Sequence, residues 1–206
     1  MHLACELNND KIISLLCENG ADIEAVNLSG QTCYEIAKNN NNYPITAYLT
    51  NLLQKKYPVY FAVLDNKITQ LQALLEKGLD INSHPQKNKG MTPLHLAITK
   101  GNFNIVKTLI ENGCYMHPRD EDGMTPLHYA IGKSSLFSML LPLCKFNLNF
   151  QEHKFGYSPL HLAVEKGETD MVKQLIEASC NLNILSKDGL SALHVAVEGG
   201  NIQIVT

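Results

Sequence analysis

The feature that most constrains the fold of this chain is a short motif repeated at a fixed spacing. A Pro-Leu-His core begins at Pro93, Pro126 and Pro159, and Ala192 begins a fourth copy with Ala in place of Pro. The Thr or Ser before each core stands at positions 92, 125, 158 and 191, so the copies are evenly spaced. A fixed period of this length predicts a solenoid, in which each unit packs only on its neighbours. We expect about seven units, with a partial one at each end.

The repeated residues also indicate how each unit is built. Thr or Ser supplies an oxygen to unpaired N–H groups at the start of a helix, and Pro suits the first helical position. Gly78 and Gly113 follow apolar stretches and suit the left-handed conformation that ends a helix. Another glycine stands two residues before each Thr or Ser, where it favours a tight turn. Each unit is thus predicted to contain two helices and a turn.

The pattern Thr-Pro-Leu-His-x-Ala at this period resembles the ankyrin repeat family, and the resemblance covers nearly the whole chain. It implies an all-α fold, an ankyrin-repeat solenoid of stacked helix-turn-helix pairs with β-hairpin loops. In that family the repeated histidine is a structural residue that hydrogen-bonds the loops together, a role we carry over to His95, His128, His161 and His194. Partners generally dock on the concave face made by hairpin tips and first helices. The resemblance therefore implies a protein–protein interaction module or scaffold.

Less regular copies precede the four clear ones. His2 opens a truncated first unit, Thr32 begins a second with Cys and Glu in the Pro and His positions, and Tyr57-Pro58 begins a third. The spacing from Thr32 to Tyr57 falls well short of one full period, because the helix that contains Ile45 and Leu53 runs into the next unit without a hairpin. We interpret this either as a tolerated loop deletion or as a break between two subarrays, residues 1–54 and 55–206.

The unit that starts at Thr125 is also irregular. Gly132, Ser134, Ser135 and Pro142 disturb its second helix, and Phe146 replaces the terminating glycine. The following loop is one residue longer than its counterparts and carries Phe155 and Tyr157. A locally altered groove with an aromatic tip is therefore a candidate binding centre.

The variable positions of the tips and first helices are the candidate partner-binding residues. Large aromatic side chains and Arg are favoured at binding hot spots, which points to Phe155, Tyr157 and Arg119. The tip positions are Lys89, Met91, Arg119, Glu121, Asp122, Met124, Phe155, Tyr157, Lys187, Asp188 and Leu190. The first-helix positions are Lys100, Lys133, Glu165 and Lys166. The competing interpretation of Phe155 is that it packs on the neighbouring hairpin.

Several function classes lack sequence support. A net charge of −3 without a basic cluster argues against a nucleic-acid partner. The chain has no P-loop, G-x-G-x-x-G, H-E-x-x-H or G-x-S-x-G motif, so we expect no catalytic residues, no cofactor and no small-molecule substrate. Histidines at one position per unit lie roughly 10 Å apart, too far to share a metal ion. A metal site at Cys114 and His117 is a weaker interpretation than structural packing, so no metal is expected.

Cysteine usage and hydropathy indicate the compartment. The six cysteines form no C-x-x-C pair and mostly occupy small apolar positions, which favours reduced thiols. No apolar stretch is long enough to span a membrane, and residues 1–6 lack the order of a signal peptide. We therefore expect a cytoplasmic protein, without membrane contact, that is monomeric.

Two alternative functions stay open. Both ends interrupt a unit, so the chain is expected to be a segment of a longer protein, such as the targeting arm of an ankyrin-bearing enzyme or channel. Its high Asn content and preference for Lys over Arg are typical of AT-rich genomes, which also suggests an ankyrin effector secreted into host cells. The other alternative is a structural spacer, which would tolerate charge reversal at every tip.

Overall fold

The computed structural model describes residues 1–201, and within them the chain forms thirteen α-helices. They are α1 (His2–Glu6), α2 (Asp10–Glu18), α3 (Cys33–Asn39), α4 (Tyr43–Lys56), α5 (Pro58–Leu64), α6 (Ile68–Glu76), α7 (Pro93–Thr99), α8 (Phe103–Glu111), α9 (Pro126–Ala130), α10 (Ser134–Leu140), α11 (Pro159–Glu165), α12 (Thr169–Glu177) and α13 (Ala192–Glu198). Two 3₁₀ turns, Leu141–Leu143 and Lys145–Asn147, follow α10. The second helix expected to begin near Asn201 falls on residues 202–206, outside the described part.

The described helices form six successive pairs and one further first helix, α13. The first helices α5, α7, α9, α11 and α13 pack one on the next along the stack. This arrangement confirms the predicted all-α ankyrin-repeat solenoid and its seven units, of which the seventh is described through its first helix.

The N-cap residues explain where the first helices of the clear repeats begin. The Nδ1 atom of His95 accepts a hydrogen bond from the backbone N–H of Thr92 at 3.2 Å, and His128 does the same for Thr125 at 3.1 Å. Ser158 with His161 and Ser191 with His194 repeat this arrangement. The histidine thus takes the place that Glu or Gln usually fills in a capping box.

The connections between units are tight turns closed by backbone hydrogen bonds. The N–H of Asp120 donates to the carbonyl of Met124 at 3.1 Å, and that of Ser186 donates to Leu190 at 2.8 Å. Gly123 and Gly189 have φ values of 76° and 75°, as the predicted tight turns require. Gly78 and Gly113 have φ values of 74° and 75°, which confirms the left-handed conformation predicted for them. In the described residues no extended strand accompanies these turns. The one β-type pairing there is an isolated bridge between Val26 and Thr32.

The buried apolar residues fall into two clusters, one between residues 4 and 49 and one between residues 59 and 196. The boundary between them along the chain is where α4 ends at Lys56 and α5 begins at Pro58, with only Tyr57 between. The predicted absence of a hairpin at this point is therefore confirmed. Whether residues 1–54 and 55–206 behave as separate subarrays stays a prediction.

The fifth unit departs from the others in both of its helices, whereas the sequence predicted a disturbance of the second helix alone. Helix α9 ends early at Ala130, because Ile131 is extended and Gly132 has a φ of 87°. Helix α10 ends at Leu140, and Pro142 lies in a 3₁₀ turn instead of kinking a continuous helix. Phe146 is almost fully exposed.

All six cysteines are free thiols, and all but Cys17 are buried. Burial raises the pKa of Cys144 and of Cys33 to about 12, so both are protonated at neutral pH. Among residues 1–201, no helix is both long and apolar enough to cross a membrane.

Candidate partner-binding surface

The tips of four successive hairpins form one continuous row, which we call the tip row (residues 86–91, 119–124, 151–157 and 185–190). Backbone hydrogen bonds join each tip to the next. The N–H of Glu121 donates to Lys89 at 2.8 Å, that of His153 donates to Asp122 at 2.7 Å, and that of Lys187 donates to Phe155 at 2.8 Å. Each tip is thereby fixed relative to its neighbours before any partner arrives.

Side chains add a second set of links along the tip row. Lys89 Nζ lies 3.1 Å from the Asp122 carboxylate. The Gln151 amide donates to the Leu185 carbonyl at 2.7 Å, and Lys187 donates to the His153 carbonyl. Of the predicted partner-binding residues, Lys89, Asp122 and Lys187 are therefore exposed but already engaged with a neighbouring tip.

Arg119, the only arginine of the chain, is one of the three predicted hot spots. Its guanidinium donates to the Gln151 carbonyl at 2.7 Å and to the Gly123 carbonyl at 3.3 Å. The same group stacks on the Phe150 ring at 5.4 Å from the ring centroid. Arg119 thus joins two hairpins, and a partner that used its donors would have to compete with these contacts.

Phe155 and Tyr157, the other two predicted hot spots, lie close together but in different environments. Their ring centroids are 5.6 Å apart. Phe155 is 44% exposed, with the Lys154 ammonium 4.4 Å from its ring centroid. Tyr157 is half-buried, and its ring stacks on His161 at 5.3 Å. Phe155 is therefore the aromatic side chain that the tip row presents to solvent, whereas Tyr157 also packs on the scaffold.

Buried polar side chains hold the individual turns in shape. The Asp120 carboxylate accepts from the N–H of Met124 at 2.8 Å and from the hydroxyl of Tyr129 at 2.6 Å. Glu152 accepts from the N–H groups of Phe155 at 2.7 Å and Tyr157 at 2.9 Å. Burial would raise the pKa of Glu152, but these backbone hydrogen bonds outweigh it and the pKa is lowered. The longer aromatic tip is therefore held by a charged carboxylate.

The repeated histidines link the first helices to the hairpins. His128 Nε2 lies 3.3 Å from the Tyr157 carbonyl, and His161 Nε2 lies 3.1 Å from the Leu190 carbonyl. The predicted loop-binding role is thus confirmed for these two residues. His95 Nε2 is buried and has no hydrogen-bond partner among the described residues. His194 is exposed, and its hydrogen bonds in the described part are to Ser191.

Of the predicted first-helix positions, Lys100 lies at the C-terminal end of α7, and Glu165 and Lys166 lie at that of α11. The prediction was wrong for Lys133, which is the N-cap of the second helix α10 because α9 ends early at Ala130. Lys133 Nζ donates to the Tyr129 carbonyl at 3.0 Å, and Lys166 Nζ donates to the Ile131 carbonyl at 3.4 Å. Burial and the neighbouring Lys166 lower the pKa of Lys133. Lys100 and Lys133 border a groove of about 580 Å³ that opens where α9 ends early. Glu165 is exposed beside this row of lysines.

The remaining candidates divide by exposure. Glu121 and Asp188 are exposed, whereas Met91, Met124 and Leu190 are half-buried at the bases of their turns. The structure therefore brings the tip candidates together in one row, with the helix-end candidates in a second.

Sequence reasoning missed a cluster around Glu24, which lies in the first hairpin and is 5% exposed. Its carboxylate accepts from Lys56 Nζ at 2.6 Å, from the Tyr57 hydroxyl at 2.5 Å and from the N–H of Gln86 at 2.8 Å. Burial would raise the pKa of Glu24, but these hydrogen bonds outweigh it and the pKa is lowered. Glu24 thus connects the first hairpin, the end of α4 and a hairpin far along the chain.

The hairpin that reaches Glu24 is longer than its counterparts. The stretch from Gly78 to Thr92 is two residues longer than the equivalent stretch from Gly113 to Thr125. In this longer hairpin Lys87 pairs with Glu35, and Asn88 donates to the Tyr60 hydroxyl. Glu35 and Tyr60 occupy the positions that hold His in the regular repeats. The extra length next to a missing hairpin was the sequence signal that could have predicted this bridge.

Metal binding has no geometric support in residues 1–201, where no group of three His, Cys, Asp or Glu side chains is placed to hold an ion.

Comparison with known proteins identifies the family. A model described as ankyrin repeats in three copies matches residues 59–149 and 132–206, and a single ankyrin repeat model matches residues 1–28. The chain belongs to the ankyrin repeat family. Ankyrin repeats are generally protein-interaction modules, and the fold is generally non-enzymatic.

Similar ankyrin proteins differ widely in size. The chain is 30% identical over 186 residues to α-latrotoxin-Lg1a of Latrodectus geometricus, which covers 90% of the chain and 9% of the toxin. It is 34% identical over 139 residues to the ankyrin repeat protein FPV223 of fowlpox virus, covering 66% of the chain and 94% of that protein. It is 31% identical over 122 residues to the tyrosine-protein kinase HTK16 of Hydra vulgaris, covering 54% of the chain and 16% of the kinase. The chain thus spans about a tenth of the length of the latrotoxins it matches.

Proposed function

We propose that this ankyrin array is a scaffold that binds a protein partner along the tip row and the adjoining ends of the first helices. The observation that carries the proposal is the hydrogen-bonded tip row, which joins four hairpins and still leaves Phe155 44% exposed. A surface fixed in advance loses little conformational entropy on binding, and an exposed aromatic side chain is a favoured anchor. The module is proposed to act in the cytoplasm, as a monomer, without cofactor or catalysis.

Charged residues of both signs surround Phe155, the proposed aromatic anchor. Lys187 and Asp188 lie on the tip next to Phe155, and both are exposed. A partner would meet both signs of charge around one aromatic group, an arrangement that favours specificity over general electrostatic attraction.

A second candidate function is supported by the relatives. The chain spans 9% of α-latrotoxin-Lg1a and 16% of HTK16, so similar arrays occur within much larger proteins. In this alternative the array is the recognition segment of a larger protein, such as an enzyme or a secreted effector, and uses the same tip row.

The test is affinity capture from a eukaryotic lysate with quantitative mass spectrometry. The tip variant is Phe155→Glu with Asp188→Lys, which leaves Tyr157 in place because its ring supports His161. The matched control is Tyr43→Glu, since Tyr43 is 75% exposed but lies at the start of the second helix α4, away from the tip row. Loss of a hot-spot aromatic costs about 2 kcal/mol or more, or roughly 30-fold in affinity.

The proposal predicts a partner kept by the wild type and by Tyr43→Glu but lost by the tip variant. Equal capture by the tip variant would place the binding site elsewhere. Failure to capture any reproducible partner would favour the spacer function. Circular dichroism of each variant shows whether the helices are intact.

A further inference from the structure

We infer that the junction between the second and third units is a binding cleft for a linear peptide segment that carries one large apolar side chain next to an acidic residue. The inference deepens the proposed function and rests on it, because the cleft adjoins residues 86–91, the first segment of the tip row. It concerns a site that the repeat pattern does not predict, since it exists only where a hairpin is missing.

The cleft is a product of the missing hairpin. In the regular units each hairpin stands directly beside the next, as the hydrogen bond from Glu121 to Lys89 shows. Between the first hairpin and the long third hairpin no second hairpin is present, and the N–H of Gln86 donates to Glu24 across the gap. The space left between them is a cleft of about 350 Å³, within the size range of ligand pockets.

The walls of the cleft are mainly apolar and come from three helices. Tyr34 on α3, Leu53 on α4, and Phe61 and Leu64 on α5 all line it, and each is half-buried. Half-buried aromatic and leucine side chains around a concave space are suited to receive a large apolar side chain.

The charges at the rim determine which residue should accompany that side chain. Both carboxylates that line the cleft already have a cationic partner, because Lys56 pairs with Glu24 and Lys87 pairs with Glu35. Lys38 also lines the cleft, is exposed, and makes no ion pair within the described residues. The rim therefore carries one surplus positive charge, which complements an Asp or Glu of the bound segment.

The chemistry favours a segment of protein over an isolated small molecule. The cleft is lined by Lys87 and Asn88 of the long hairpin. In the same hairpin the Lys89 carbonyl accepts the hydrogen bond from Glu121 that links it to the next tip. A bound peptide that placed one side chain in the cleft could continue along the tip row. The groove near Lys100 and Lys133 is larger, but its large apolar lining residues are limited to Phe103 and Leu136, so it offers no comparable apolar wall.

The experiment begins with a display library of random linear peptides selected against the wild-type chain. Fluorescein-labelled synthetic copies of the enriched peptides are then titrated by fluorescence anisotropy. The first variant is Lys38→Glu, in the last turn of α3, and its matched control is Lys55→Glu, in the last turn of α4 and outside the cleft. The second variant, Thr50→Trp, fills the cleft from α4.

The inference predicts enriched sequences that pair an aromatic residue, Leu or Met with an adjacent Asp or Glu. Lys38→Glu should weaken their binding about tenfold or more, whereas Lys55→Glu should change it by less than about twofold. Thr50→Trp should weaken it at least about tenfold by steric exclusion. Circular dichroism and thermal unfolding confirm that each variant is folded.

Two results would overturn the inference. Peptides that bind Lys38→Glu and Thr50→Trp as tightly as the wild type, but lose affinity for Phe155→Glu, would place peptide binding on the tip row and leave the proposed function intact. Failure to enrich any peptide would reject the cleft as a peptide site, whereas the tip row is tested separately by lysate capture with folded partners.

Discussion

The regular repeats from Thr92 to Leu190 and the irregular units before them link their first helices to the hairpins through different side chains. In the regular repeats the His position carries His128 and His161, which bond the following hairpins through the Tyr157 and Leu190 carbonyls. In the irregular units the same position carries Glu35 and Tyr60, which contact Lys87 and Asn88 of one long hairpin. In the irregular units, one bridge of charged and polar contacts thus takes the place of the neutral histidine that recurs in the regular repeats.

This comparison shows what a repeat position must supply. The side chain must cap its own helix and reach a hairpin, and several residue types can do so. Glu35 accepts from the Thr32 N–H at 2.8 Å, as the histidines do for their own N-caps, and it also reaches Lys87. What changes is the response to solution conditions, because a carboxylate is stabilised by its charge and a buried imidazole by its neutrality.

The largest expected difference between the two regions is in their response to acid. Burial lowers the pKa of His95 and of His128 to about 4. Below pH 6.5 the unfolded chain binds protons that the folded repeats do not, so their stability falls from pH 6.5 to about 4 and then levels off. The loss is about 3 kcal/mol for each histidine. The Glu24 bridge, whose pKa is lowered, keeps its full contribution above about pH 4.5 and loses it only as pH falls through the folded pKa.

Native-state hydrogen exchange at pH 7 and pH 5, corrected for intrinsic rates, measures this difference. Protection in residues 92–165 should fall more than in residues 1–54. His128→Gln is the informative variant, because Gln retains a capping-box acceptor but does not titrate. Its pH dependence should be weaker than that of the wild type, and an unchanged dependence would show that His128 is not responsible.

The second difference concerns cooperativity between the two apolar clusters. Leu127 and Leu49 are both fully buried, one in each cluster. Either Leu→Ala change should cost about 2–5 kcal/mol. If residues 1–54 form a separate subarray, Leu49→Ala should reduce hydrogen-exchange protection there and spare residues 92–165, and Leu127→Ala should do the reverse. Uniform loss of protection in both variants would instead indicate one cooperative unit and a simple loop deletion.

The sequence predicted the regular part of the molecule better than the junction, for a physical reason. In a periodic sequence the same residues have the same neighbours in every unit. Thr125, Pro126 and His128 therefore predict where the helix starts, how it is capped and how it stacks, and the prediction carries over to the neighbouring units. The links across the junction join Glu24 to Gln86, which are 62 residues apart and belong to no repeated pattern. The short spacing from Thr32 to Tyr57 predicted the absence of a hairpin there. The two extra residues between Gly78 and Thr92 could have indicated which hairpin bridges the junction, but not that it would bond to Glu24.

The candidate site shows the same division between pattern and contact. Counting positions placed Phe155, Lys187 and Asp188 on the tips, and the structure has them exposed there. The same counting could not show that Arg119 is engaged with Gln151 or that Tyr157 stacks on His161, because each contact depends on how side chains and loops meet in three dimensions. Exposure in a repeat follows from register, whereas availability for binding depends on the neighbouring groups.

The smallest expected effect compares one turn in each region. Gly156 and Gly30 have φ values of 73° and 70°, so Ala at either position is strained by about 1 kcal/mol. A Cβ at Gly156 would also lie 2.9 Å from the backbone nitrogen of Lys187, which donates to Phe155, whereas a Cβ at Gly30 would meet no atom within 4 Å. Gly156→Ala should therefore cost about 1 kcal/mol more than Gly30→Ala, as measured by urea unfolding followed by circular dichroism. Equal costs would mean that the hydrogen bonds between tips contribute little to holding the row, and the preorganised surface on which partner binding is proposed would then depend on the helices alone.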